Sequence, residues 1–311
     1  MINGIINVYK EKGYTSHDVV AKLRGILKQK KIGHTGTLDP DAEGVLPVCL
    51  GKATKVCELL TEKDKVYEAV LLLGKTTDTQ DMTGTILSEK DVTCSPKQVQ
   101  TVLKMFEGVQ MQVPPMYSAL KVNGKKLCDL ARAGIEVERK SREITVFSIQ
   151  IIEIALPRVR MRVHCSKGTY IRTLCHDIGQ TLGCGGCMES LLRTKAAGFE
   201  LKDAVKLAKI EAQVRKVREN VSQRELVRED LKDLVKGTDC VFLQYPYSSV
   251  KTEFSKFLYN GNSLKPEWLT EWSKEYEQEI LRLYDDNQSF AGIYQWDEKP
   301  QELKPIRIFM E

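Results

Sequence analysis

The sequence has no apolar run that approaches the length of a membrane-spanning helix, which argues against a helical membrane protein. Its first residues, Met1-Ile2-Asn3-Gly4-Ile5-Ile6-Asn7-Val8, are apolar but too few for a signal peptide, and no basic residue opens them. No internal repeat or low-complexity tract interrupts the 311 residues. Histidine is scarce, at four, and a lone histidine is as readily a satisfied core residue as a functional one. Cysteine numbers nine; without a signal peptide that count points to a reducing cytoplasm rather than a disulfide framework. What remains is ordinary for a water-soluble chain, with 42% hydrophobic and 29% charged residues.

The net charge of +5 is unevenly spread. Residues 241–311 carry 8 Lys or Arg against 12 Asp or Glu, a balance of −4, which leaves residues 1–240 at +9. The length suits a sizeable core and two domains. A moderately basic body is compatible with a phosphate-rich partner, although a charged surface alone does not establish one.

Residues 2–8 read as a strand. Ser16 is placed to cap a helix through Val19, Val20, Leu23 and Leu27, which runs into the basic cluster Lys28-Gln29-Lys30-Lys31. Further strands are expected at 66–73, 144–154 and 159–165, and helices from Ser95-Pro96 to Gly108 and from Ile171 to Leu182. Residues 201–236 contain no Pro or Gly and are rich in Lys, Glu, Arg, Ala and Leu, the pattern of an amphipathic helical stretch. Short apolar strands return at 241–243, 280–284, 290–294 and 306–309, with Asp285-Asp286-Asn287 turning between two of them.

The densest chemistry lies in Gly33-His34-Thr35-Gly36-Thr37-Leu38-Asp39-Pro40-Asp41-Ala42-Glu43-Gly44. Pro40 pushes Asp39 away from α geometry, and the glycines permit tight turns or close approach of a large ligand. A carboxylate on such a stiff loop suits a nucleophile or base. An Asp-Pro pair between glycines is also a common turn, and the Lys-Ser/Thr ending of a phosphate-binding loop is missing.

The string as a whole resembles the catalytic loop of TruB-type tRNA pseudouridine synthases. The resemblance continues at Lys52-Ala53-Thr54-Lys55, Lys65-Val66-Tyr67, Thr76 to Asp81, Pro114 to Lys121 and Cys165 to Arg172, in the family's order over residues 1 to about 200. It implies an α+β fold: a mixed, largely antiparallel central sheet with flanking helices over residues 1–240, then a small β-rich PUA-like domain at 241–311. The implied activity is isomerisation of uridine to pseudouridine at position 55 in the T-loop of tRNA. The uridine must be flipped out before it is reached.

The resemblance makes Asp39 the match of the family's catalytic Asp, Arg172 of its orienting partner, and Tyr67 of an active-site aromatic that stacks on uracil and assists at C5. His34 matches a residue that stacks near the flipped base, Asp81 an acidic residue near the RNA cleft, and Leu191 an apolar residue against the target base. Arg193, in the same motif, is expected as a further RNA-binding residue. Residues 114–142, with Lys121, Lys125 and Lys126, match a segment that closes on RNA, where cations neutralise phosphates. The resemblance implies no metal, no redox cofactor, no required protein partner and a monomer. A guide-RNA-dependent subunit and a non-catalytic tRNA chaperone are the alternatives.

One competing reading concerns zinc. Cys184-Gly185-Gly186-Cys187, with Cys175-His176 upstream, has zinc-like spacing, but Cys175-His176 falls inside an expected helix and the family has no metal there. Glu11 stands where relatives have Pro, and Leu192 where an Arg is common.

Overall fold

Apolar residues on both faces bury six of the seven residues of Gly4–Lys10 (β1), which turns into the helix Ser16–Leu27 (α1). Thr15, rather than the expected Ser16, caps α1. Its hydroxyl accepts from the Asp18 amide at 3.1 Å, and the Asp18 carboxylate accepts from the Thr15 amide at 2.8 Å. Asp18 stands three residues after Thr15, which completes this reciprocal pair. Ser16 is left free to accept a hydrogen bond from the Leu38 amide at 3.0 Å.

The structure, a computed structural model, describes residues 1–221 and 224–310. After α1 come Ile32–His34 (β2), Glu43–Leu50 (β3), Cys57–Thr61 (α2) and Lys65–Leu73 (β4). Lys75–Thr77 (β5) and Ile86–Glu89 (β6) pair as a small hairpin. Next are Pro96–Met105 (α3), Gly108–Gln112 (β7), the hairpin Lys121–Val122 (β8) with Lys125–Lys126 (β9), and Leu127–Arg132 (α4). Arg142–Ala155 (β10), Arg158–Cys165 (β11), Ile171–Thr181 (α5), Gly186–Ala196 (β12), Phe199–Glu200 (β13), Val205–Lys206 (β14) and Leu207–Asn220 (α6) complete the larger unit.

Ten strands form one sheet in the order β14-β1-β3-β12-β4-β11-β10-β7, with β2 beside β3 and β13 beside β12. The pairs β1/β14 and β3/β12 run parallel, and the other described pairs antiparallel. This is the mixed, largely antiparallel α+β sheet expected. The apolar face of α5 (Ile171, Leu174, Cys175, Ile178) follows the i, i+3, i+4, i+7 spacing and packs with Leu71, Met161 and Val163 of the sheet. At the other end α1 and α6 cover Ile6, Val8 and Val48.

Tyr247–Ser249 (β15), Ser255–Tyr259 (α7), Ile280–Tyr284 (β16), Phe290–Asp297 (β17) and Glu302–Ile308 (β18) build a separate four-stranded sheet in the order β15-β16-β17-β18. It has its own core around Leu258, Leu281, Tyr294 and Leu303. A second cluster joins it to the larger unit: Phe242, Ile293 and Phe309 pack with Ile5, Val45, Cys49 and Ala53.

Two expected elements differ. Residues 241–243 are not a strand; a 3-10 turn spans Thr238–Val241, and Phe242 instead anchors a group of rings with Tyr245, Phe290 and Phe309. The helical stretch expected over 201–236 is a helix only at Leu207–Asn220, with short 3-10 turns at Leu201–Asp203 and Arg228–Leu231. Its apolar residues after α6 (Leu226, Leu231, Leu234, Val235) fill the core against β1 from an irregular path rather than from one helix face. Residues 222 and 223 of that stretch lie outside the described residues.

Candidate active site

The Asp39 loop joins β2 to β3 and is held by cations beneath it. Lys10 Nζ, fully buried, donates to the carbonyls of Pro40 at 3.0 Å and Ala42 at 2.5 Å. Arg193, 1% exposed, donates from Nε to Val45 O at 2.7 Å and from Nη2 to Gly36 O at 3.3 Å. Burial pushes the Lys10 ammonium down to about 8, against the pull of Asp39, Glu43 and Asp41. Gly44 makes the close approach possible. Its φ is +108°, and a Cβ there would lie 2.3 Å from the Arg193 carbonyl oxygen across the β3/β12 pairing.

Arg172 lies in the first turn of α5, 4% exposed, and meets Asp39 through two bonds: Nε to Oδ2 at 2.9 Å and Nη2 to Oδ1 at 3.2 Å. This is the fork geometry that arginine offers and lysine does not. Its other donors reach Thr79 O at 3.0 Å and Tyr117 O at 2.8 Å. The position of Arg172 is set from both sides. Gln112 at the end of β7 brackets Tyr170, accepting from its amide at 2.8 Å and donating to its carbonyl at 3.1 Å. On the far side, Gly179 and Gly186 let α5 lie directly on β12; a Cβ on Gly179 would come within 2.2 Å of Gly186 N.

The Asp39 side chain is 38% exposed, open on one side and ringed by protein on the others. That ring raises its pKa above the ordinary 3.8: desolvation is the larger cause, Arg172 pulls the other way, and the Asp81 carboxylate adds to the rise. Asp81 lies 3.7 Å from Arg172 Nε and otherwise organises its own loop, accepting from Thr79 Oγ1 at 2.7 Å and Thr83 N at 2.9 Å.

Tyr67 on β4 pairs across the sheet with Arg193 on β12, and packs in one cluster with Leu38, Ala42 and Leu191. Burial raises its phenol above the ordinary 10.0. It stays protonated at neutral pH and can act on a substrate proton only by passing its own on. Leu191 is 9% exposed at the same wall. His34 faces His17 at a ring-centroid distance of 5.2 Å, and burial, His17 and Arg193 together push it down to about 4, so it is neutral at neutral pH. Lys121, Lys125 and Lys126 are exposed on the β8–β9 hairpin. That segment is tied to the site where Tyr117 O accepts from Arg172.

Asp39, Arg172, Asp81, Tyr67 and Leu191 therefore surround one site. Arg193 is placed differently from the RNA-binding role expected of it: its guanidinium is buried against loop carbonyls, which makes it a support for the loop. Lys10 and Gln112 are not among the residues expected from sequence. Lys10 falls in phase with the inward Ile6 and Val8, a signal that could have found it; Gln112 offers none. Cys175, Cys184 and Cys187 are buried, and Cys187 Sγ lies 3.6 Å from Met82 Sδ. Among the described residues no group of three or more His, Cys, Asp or Glu is arranged to hold a metal, and no helix is long and apolar enough to cross a membrane.

Residues 24–171 match the family model described as TruB family pseudouridylate synthase (N terminal domain), and residues 172–241 that of the tRNA pseudouridylate synthase B C-terminal domain. The chain is 52% identical to tRNA pseudouridine synthase B of Lachnoclostridium phytofermentans over 99% of its own length and 100% of that protein. It is 41% identical to the protein of the same name in Alkaliphilus oremlandii, over 100% of this chain and 99% of that one. Among solved structures it is similar to a chain in the crystal structure of a Cbf5-Nop10-Gar1 complex, with a TM-score of 0.71, 26% identity, and coverage of 99% of this chain and 85% of that chain.

Proposed function

The chain belongs to the TruB family of pseudouridylate synthases, enzymes that isomerise uridine to pseudouridine in tRNA, and we propose that its target is uridine 55 in the T-loop, with Asp39 as the essential catalytic group. The observation that carries the role of Asp39 is its two-bond contact with a buried Arg172 on an otherwise open face.

The reaction breaks the C1′–N1 bond of the uridine, forms a C1′–C5 bond, takes the proton from C5 and places one on the freed N1. No atom is gained or lost overall, so the protein must supply a positioned carboxylate, a surface for the freed base and a path for one proton. Asp39 either attacks the nucleotide or promotes glycosidic cleavage. Its raised pKa makes the ionised carboxylate the stronger base or nucleophile, and Arg172 favours that ionised form. Tyr67 and Leu191 offer an aromatic and an apolar face to the uracil ring, and Tyr67 relays the C5 proton. Asp81 shares Arg172 and fixes the loop behind it. His34 fills space beside the extruded nucleotide.

The exposed lysines of the β8–β9 hairpin support a stand-alone enzyme that grips the T-arm itself, as a monomer without a required partner. The nine free cysteines and a tRNA substrate support a cytoplasmic location. Residues 241–311, with their own sheet, are read as a PUA-like domain following a catalytic domain of residues 1–240. The likeness to a Cbf5 chain crystallised with Nop10 and Gar1 favours a second reading, a subunit that works only with partners.

The test is a position-by-position pseudouridine assay on an unmodified tRNA transcript with the purified protein alone. Modification confined to the T-loop uridine, and absent with Asp39→Asn, is the expected result. Tight binding without modification would favour the partner-dependent reading. Undiminished turnover in Asp39→Asn would remove Asp39 from the mechanism.

A further inference from the structure

A cavity of about 560 Å³ opens between α1, the turn that follows it, and β2, and none of its uses is covered by the chemistry above. Its walls carry Arg24, Lys30, Lys31, His17, His34 and Thr54, and no carboxylate lines it. Arg24, Lys30 and Lys31 are all exposed, and among the described residues none of the three has an ion-pair partner. Arg158 and Arg162, exposed on the sheet, each meet an acid, Glu189 and Glu68, whereas among the described residues no acid pairs with these three. The three cations of the cavity are therefore an uncompensated cluster, drawn from two chain segments and aimed at one space.

The positive field extends beyond the walls. Lys55, next along the surface, is lowered first by its partial burial and then by Lys52, Lys31 and Arg307. It spends its own ammonium on the Ile308 carbonyl at 2.7 Å. A cluster held together without counter-charge favours an anion from outside.

The location names the anion. His34 forms one wall of the cavity and also begins the loop that carries Asp39. Whatever sits among Arg24, Lys30 and Lys31 is thus one loop away from the catalytic carboxylate. An extruded uridine drags its flanking phosphodiesters with it. We infer that this cavity takes one internucleotide phosphate of the substrate RNA, flanking the extruded uridine, with Arg24, Lys30 and Lys31 as its cationic ligands. The inference rests on the tRNA reading of the site. Its role is to hold the backbone in the extruded conformation, so that the base alone is free to turn. The His34 imidazole, neutral at neutral pH, and Thr54 add hydrogen-bonding groups that suit the attached ribose.

The experiment measures binding of a T-arm RNA to the full-length protein over a range of KCl concentrations, for the wild type, Lys30→Gln/Lys31→Gln and, as a remote control, Lys97→Gln on exposed α3. The double variant is expected to bind about tenfold more weakly and to lower the slope of log affinity against log salt by about 1, and the control to do neither. T-arm RNAs with a single methylphosphonate then scan the linkages around the target uridine. One linkage should weaken wild-type binding and cost nothing further in the double variant. An unchanged affinity and slope in the double variant, or penalties at every linkage that persist in it, would overturn the assignment. Conversion of the same RNA is followed in parallel. Coupling at one linkage without any pseudouridine would sink the catalytic reading and leave the cavity; pseudouridine without coupling would do the reverse.

Discussion

A guanidinium at 4% exposure has to place its donors on protein atoms, and Arg172 does so with Asp39, Thr79 O and Tyr117 O. One residue thereby fixes the carboxylate, the 77–85 loop and the base of the 114–142 segment. Arg172→Lys keeps the charge but can hold only one of these partners well. Turnover is expected to fall roughly 10²-fold or more, with a smaller change in tRNA binding, checked by single-turnover kinetics. Asp39 poses the opposite balance. Its desolvation outweighs the attraction of Arg172, so the ionised group lowers the stability of the fold, as expected of a functional group. Asp39→Asn should abolish turnover, retain tRNA binding, and melt no lower than the wild type in calorimetry. For the same reason the acid limb of the wild-type kcat/KM profile should lie above the ordinary Asp value of 3.8.

At the scale of elements, the Asp39 loop is supported by β1 and β12 rather than by its own residues. Lys10 titrates at about 8 in the fold and at 10.5 when exposed. Between those values the unfolded chain holds the proton and the folded chain does not, so this group makes stability rise with pH across that window. Lys65, also lowered to about 8 by burial, adds a similar rise, so the comparison must be between variants. The stability advantage of the wild type over Lys10→Met, from urea unfolding at successive pH values, should grow from pH 8 to 10.5. Gly44→Ala puts a Cβ against the β12 backbone at a positive φ. It should lower stability by about 2 kcal/mol or more, read from the same urea curves.

These supports mark where sequence reasoning stops. Asp39, Arg172 and Tyr67 stand out in the sequence only through the family resemblance of their motifs, and the fold brings them to one place. The strands at 66–73, 144–154 and 159–165 are legible from alternation, and appear as β4, β10 and β11. Gln112 is not, since its work is done on the backbone of Tyr170, across 58 positions of chain. Arg193 looks like a surface arginine until β12 is placed beside β3. Phe242 reads as part of a strand because apolar triplets look alike whether they pair in a sheet or plug a gap between two units.

For the whole molecule, that plug matters. Phe242, Ile293 and Phe309 share a core with Ile5, Val45 and Cys49, so the C-terminal sheet is bonded by apolar contact to the strands that frame the Asp39 loop. Arg307 adds a hydrogen bond to the Lys55 carbonyl, and Lys52 one to Met310. Phe309→Ala, at a position 6% exposed, should cost about 3 kcal/mol, and the two units should still unfold in one transition by both near-UV and far-UV circular dichroism. Two separate transitions would show that the shared core is not cooperative.

The pairing at β1 also has a temporal side. Its amide and carbonyl at Ile5 are closed by Lys236, and the partner of Asp39 arrives only with Arg172. On a translating ribosome the Asp39 loop therefore emerges long before the groups that hold and aim it. At about 5–20 residues per second, roughly ten to fifty seconds separate the first strand from its last partner. From the synthesis of Asp39 to that of Arg172, the nascent chain carries the carboxylate without the guanidinium that holds it. The arrangement is complete only when nearly the whole of the larger unit has been made.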